Sequence, residues 1–116
     1  MAYMLLIHEE VGQRETRTPA EGEAVYQRMV DWAAKLKSEG RLLSGESLKS
    51  LREATRVRTG ARPLVLDGPF AEAKEMVGGF FLLNCDTKQE AIKLAQTCPA
   101  AEWATVEVRA LGPCFV

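Results

Sequence analysis

PLVLDGPFAEAKEMVGGFFLLNC, residues 63–85, sets two apolar runs either side of a charged connector. GFFLLNC (79–85) is apolar almost throughout and of strand length, which reads as a buried strand. PLVL (63–66) follows the breakers Gly60 and Pro63. Between them, Asp67-Gly68-Pro69 reads as a stiff turn. Residues 69–76 read as a short helix that Asp67 caps, with Phe70 and Lys74 one turn apart. Gly78-Gly79 then releases the chain from that helix into the strand.

Working towards the N-terminus, ATRVRT (54–59) alternates and pairs naturally with PLVL as a hairpin that projects from a sheet. RLLSGESL (41–48) reads as a strand interrupted near Gly45. Residues 20–38 carry Val25, Met29, Trp32 and Leu36 at helical spacing. The entry is Thr18 or Pro19, and Gly40 is the stop. YMLLI (3–7) reads as a central strand and residues 9–20 as a loop. Towards the C-terminus, Asp86 or Thr87 caps a helix over 88–98 whose apolar face holds Ala91, Leu94, Ala95 and Cys98; Pro99 ends it. TVEVRAL (105–111) alternates as a last, half-exposed strand. The order predicts an α+β ferredoxin-like βαββαβ sandwich with an inserted hairpin, over residues 1–116 as one domain. Both helices cover one sheet face. The other is too apolar to stay wet, so a homodimer is expected through it.

Composition narrows the classes. Fifteen basic and 16 acidic side chains give a net charge of −1, which offers no excess of cations for coating nucleic acid. No run approaches the ~20 apolar residues of a membrane span. No secretory signal is visible, so the cytoplasm is the expected compartment. Three cysteines and a single histidine suit neither a disulfide framework nor a zinc cluster. Cys85 and Cys98 read as small buried hydrophobes, and Cys114 as exposed. No nucleotide fingerprint, phosphate loop or nucleophile elbow is present, and no cofactor is expected.

DGPFAEAKEMVGGF (67–80) resembles the signature of the DGPF proteins within the YCII-related family: Asp-Gly-Pro-Phe, Glu-x-Lys-Glu, then Gly-Gly-aromatic. It is met by Asp67, Gly68, Pro69, Phe70, Glu72, Lys74, Glu75, Gly78, Gly79 and Phe80. YMLLI, GRLLSGESL, ATRVR and VEVRAL extend the resemblance over almost the whole chain. It implies a dimeric α/β barrel of two ferredoxin-like protomers. Smaller members of that family carry a His–Asp pair suspected of acid–base catalysis, and one relative is a dehydrochlorinase acting on a chlorinated hydroxyhydroquinone. The helix histidine of that pair falls near Met29, which shuttles no protons. Asp67 is left as the counterpart of the acid. Some DGPF proteins lie beside genes for extracytoplasmic-function sigma factors.

The candidate chemistry is sparse. His8, at a strand end before Glu9 and Glu10, is a candidate general base; the plain alternative is a solvated residue. Asp67 is a candidate acid–base group at a cleft rim, or simply a turn residue. Arg56 and Arg58 share a strand face that suits a planar anion or merely blunts an edge, with Arg109 joining if the last strand lies near. Phe70, Glu72, Lys74 and Glu75 complete the expected ligand-binding set; the charged ones read equally as a solvated face. Two functions follow. One is a ligand-binding protein, of cofactor-free lyase or isomerase type, with a cleft near the DGPF loop. The other is a non-catalytic dimer of binding or regulatory type, linked to sigma-factor signalling.

Overall fold

The computed structural model describes residues 2–116. Strand β1 (Ala2–Glu10) leads through a 3-10 turn (Arg14–Thr16) to helix α1 (Pro19–Ser38). Strands β2 (Leu42–Ser47), β3 (Thr55–Arg58), β4 (Leu64–Asp67) and β5 (Glu75–Asn84) follow. Helix α2 (Lys88–Thr97), a second 3-10 turn (Pro99–Glu102) and strand β6 (Thr105–Ala110) complete the chain. The main sheet is antiparallel in the order β2-β5-β1-β6, and β3 pairs with β4 in a separate two-stranded hairpin. This is the expected α+β ferredoxin-like sandwich with its inserted hairpin.

The caps explain the helix boundaries. The Thr18 hydroxyl accepts from the Glu21 N–H, and the Glu21 carboxylate accepts from the Thr18 N–H. This reciprocal box satisfies two donors that the first turn leaves orphaned. Gly40 ends α1 at φ +73°, in the left-handed region that glycine enters freely. Thr87, rather than Asp86, caps α2.

One sheet face packs against both helices. Tyr3, Leu5 and Ile7 alternate inward along β1, and Phe81 and Leu83 do so along β5. Trp32 of α1 meets Phe81 edge-on, with ring centroids 5.0 Å apart. Its indole N–H donates to Thr97 Oγ1 at 2.9 Å, which ties α1 to α2. The opposite face presents Met4, Leu6, Val77, Phe80 and Leu82, aligned by the register Met4–Leu82, Leu6–Phe80 and His8–Val77. Neither helix covers it.

The connector departs from its reading. Residues 69–76 form no helix: residues 71 and 72 turn, and β5 begins at Glu75. Asp67 therefore caps nothing, and Glu72, Lys74 and Glu75 share no helical face. Gly78-Gly79 lies inside β5. The register passes from Ile7–Gly79 to His8–Val77, so Gly78 is the extra residue of a β-bulge. The irregularity in β2 falls between Leu42 and Ser44 rather than at Gly45. Strand β1 also runs to Glu10, into the stretch read as loop.

Candidate functional site

The bulge at Gly78 builds the site. Alternation along β1 sends His8 to the open sheet face and Glu9 to the helix-covered face. Glu9 is only 7% exposed, the one charged residue buried among those described. Its Oε1 accepts from Arg14 Nε at 2.5 Å. The other two guanidinium nitrogens of Arg14 each donate to backbone: Nη1 to the Leu48 carbonyl at 2.8 Å and Nη2 to the Gly78 carbonyl at 3.3 Å. The guanidinium is thereby fixed as a bracket between β1, β2 and β5. Gly78 is glycine for a steric reason. A Cβ there would overlap the Glu9 carboxylate and press on Arg14 Nη2.

Glu9 and Arg14 form part of the wall of a cavity of about 350 Å³ between α1 and the sheet. Its floor includes Ile7, Gly79 and Phe81; its roof includes Val25, Tyr26, Met29 and Ala33 of α1. Trp103 and Arg17 stand at one side. The α1 stripe therefore divides. Trp32 and Leu36 pack into the core, while Val25 and Met29 roof a void. The Arg17 guanidinium lies 5.6 Å from the Trp103 ring centroid. Arg28 lies at the same distance from that ring and is paired with Glu102. That pair raises the Arg28 pKa and holds the Glu102 carboxyl below its usual range through their hydrogen bond.

Apolar walls with a few fixed polar groups are the usual make-up of a small-molecule pocket. The Glu9 oxygen not held by Arg14 has no hydrogen-bond partner among the described side chains and backbone. A carboxylate so placed accepts a proton or a hydrogen bond from whatever occupies the cavity.

The residues singled out in the sequence lie elsewhere. His8 Nε2 is 2.6 Å from Glu107 Oε1 on β6, on the open face. Asp67 is exposed and accepts from Thr55 Oγ1 at 2.7 Å across the hairpin. Neither lines the cavity, and each is engaged with a different partner. Arg56 lies 3.7 Å above the Phe70 ring and 3.4 Å from Glu72. That cluster braces the corner. Phe70 is buried there but outside the main core. Arg58 is exposed on β3, and Arg109 sits 3.8 Å from Glu107 in the other sheet. Lys74 and Glu75 are exposed. Of the DGPF stretch, only Gly78 and Gly79 reach the cavity.

Sequence reasoning missed Glu9, Arg14, Arg17, Tyr26 and Trp103. The one sequence feature bearing on Glu9 is parity: in a strand that runs two residues past Ile7, Glu9 turns to the same face as Ile7. Among the described residues no His, Cys, Asp and Glu group has metal-binding geometry, and no helix is long and apolar enough to cross a membrane.

The antiparallel β2-β5-β1-β6 sheet under two helices, with a hairpin between β2 and β5, is a ferredoxin-like arrangement that many families share. The profile of the YCII-related domain matches residues 1–114, and the chain belongs to that family. An uncharacterised protein of Rhizobium meliloti (strain 1021) is 33% identical over 102 residues, covering 86% of this chain and 77% of its own. Among solved structures, 5-chloro-2-hydroxyhydroquinone dehydrochlorinase from Burkholderia phenoliruptrix AC1100, in complex with 2,5-dihydroxybenzoquinone, superposes with a TM-score of 0.57. It covers 97% of this chain and 94% of its own at 13% identity, a likeness of fold.

Proposed function

We propose that this protein binds a small aromatic or polar molecule in the cavity under α1, and that Glu9 exchanges a proton with it without a cofactor, in lyase or isomerase type chemistry. The observation that carries this reading is the buried Glu9 carboxylate. Arg14 holds it through one oxygen, while the other lies against Gly78 at the cavity wall and accepts no hydrogen bond from the described residues. Burying a charge is unfavourable unless it is paired and hydrogen-bonded, so a half-satisfied carboxylate in a void is a poor structural choice and a useful chemical one. Tyr26, Trp103, Met29 and Phe81 supply the surfaces that suit a flat ring. The structural neighbour's ligand is a single hydroxylated ring. The resemblance places the smaller relatives' helix histidine near Met29, which lines this same cavity.

The test is binding followed by exchange. A library of hydroxylated single-ring compounds is screened by thermal shift against wild type and Glu9→Gln. Ligands that stabilise wild type are then followed by NMR in D2O for exchange of carbon-bound protons. Stabilisation of wild type with exchange lost in Glu9→Gln is the expected outcome. Hits that bind both proteins equally, with no exchange in either, would favour the second reading, a non-catalytic binding dimer. Met29 in the helix and Asp67 outside the cavity favour that second reading.

The assembly we propose is a homodimer through the open sheet face. Met4, Leu6, Phe80 and Leu82 form an apolar stripe that water solvates poorly. A second copy offers the same stripe about a two-fold axis.

A further inference from the structure

We propose that the ligand of this cavity carries an anionic group, a carboxylate on a hydroxylated ring, and that Arg17 selects it. The proposal rests on reading the cavity as a ligand site. Its own motive is the balance of charge at the wall. Glu9 and Arg14 neutralise one another. Glu46 also borders the cavity, but it stands opposite Phe80 in the β2–β5 register, so the pleat directs its carboxylate towards the open face. Arg17 remains. Among the described residues it forms no ion pair. Glu21 and Glu23 follow it on α1; Glu21 feels the Arg17 charge, but its carboxylate accepts from the Thr18 N–H, and neither forms an ion pair with Arg17. The Trp103 ring backs the guanidinium and leaves its N–H edge free to meet a planar anion.

The two polar features make different demands. The free Glu9 oxygen is an acceptor and asks for a hydroxyl or amine donor. The Arg17 fork is a donor and asks for a carboxylate, the geometry it binds bidentately. Phe81 and Met29 line the same cavity, whose volume of about 350 Å³ has room for one ring. A hydroxybenzoate meets all three demands, whereas a neutral diol leaves Arg17 unanswered.

Isothermal titration separates this from the broader reading. The probes are the dihydroxybenzoate isomers, the matching neutral dihydroxybenzenes and the corresponding dimethoxybenzoates, at low and at 0.5 M salt. The expected result for wild type is that at least one dihydroxybenzoate binds about ten-fold or more tighter than its neutral partner, the size of a charge-assisted hydrogen bond. Arg17→Gln brings the two to within about two-fold, and the dimethoxy compound loses most of its affinity. If the neutral diols bind as well as the acids, the anion preference is overturned while the cavity stands as a ligand site. If no compound of the three sets binds, both readings fall. The wild-type comparison decides the matter alone should Arg17→Gln prove unstable.

Discussion

His8 and Glu9 are neighbours on one strand, and the pleat gives them unrelated surroundings. His8 stands on the open face against Glu107; Glu9 stands in the cavity wall against Arg14. Breaking the Glu9–Arg14 pair from the cationic side strands a buried carboxylate. Removing one partner of a fully buried pair costs roughly 3–5 kcal/mol. Arg14 keeps 30% of its side-chain surface in contact with water, so Arg14→Met is expected to lower unfolding free energy by about 2 kcal/mol. Adding Glu9→Gln should restore part of it. Urea denaturation of the two single variants and the double variant checks this, and additive losses would mean that the pair is not coupled. Gly78→Ala belongs to the same cluster. The methyl has no room beside the Glu9 carboxylate, so about 1–3 kcal/mol of overpacking is expected. Loss of ligand-induced stabilisation should accompany it, both read from thermal melts.

At the scale of the element, α1 is fastened at its start by the capping box. Thr18→Ala should cost about 1 kcal/mol. The hydrogen bonds from Thr18 hold the Glu21 carboxyl below its ordinary pKa. A carboxyl whose folded pKa is depressed stabilises the fold at pH above its unfolded value, and that support fades as pH falls through the folded one. The gap between wild type and Glu21→Gln should therefore be present at pH 7 and shrink towards pH 3, as measured by chemical denaturation. A gap independent of pH would detach Glu21 from the cap. Helix α2 and the turn after it bury Cys98, and desolvation pushes that thiol up, as it does Cys85. Cys114 is exposed. Alkylation of native protein near pH 8 should label Cys114 first, with Cys85 and Cys98 reacting once the chain unfolds. Mass mapping showing early labelling of Cys98 would contradict that order.

At the scale of the whole molecule, two helices cover one face of a four-stranded sheet and leave an apolar stripe on the other. The proposed homodimer is expected to sediment as such at micromolar concentration. Phe80→Asp and Leu6→Asp should shift it to monomer by placing a charge in the middle of the stripe. Wild type sedimenting as a monomer would sink the assignment of that face. The hairpin of β3 and β4 adds exposed Val57, Val65 and Leu66, a surface that such an assembly has the means to use.

The sequence by itself determined which strands and helices form and narrowed each helix start to two neighbouring residues, and hence the fold, because periodicity and capping are local: residues a few positions apart decide them. The short helix expected over 69–76 failed for the complementary reason. The Phe70 side chain is buried and Gly68 N–H donates to the Ala54 carbonyl at 2.7 Å. Those non-local contacts set the corner instead of a cap at Asp67. A side chain added at Gly68 would collide with the Leu51 carbonyl, so the glycine answers a neighbour 17 positions away. The DGPF stretch marked the family and the corner, but only its glycines touch the cavity. Only the tertiary structure decided the candidate site. Glu9, Arg14, Arg17, Met29, Gly78 and Trp103 come from β1, a turn, the mouth of α1, α1 itself, a bulge and the loop before β6. A carboxylate becomes a buried chemical group there because folding removes its water and supplies one arginine, and no local pattern records either event.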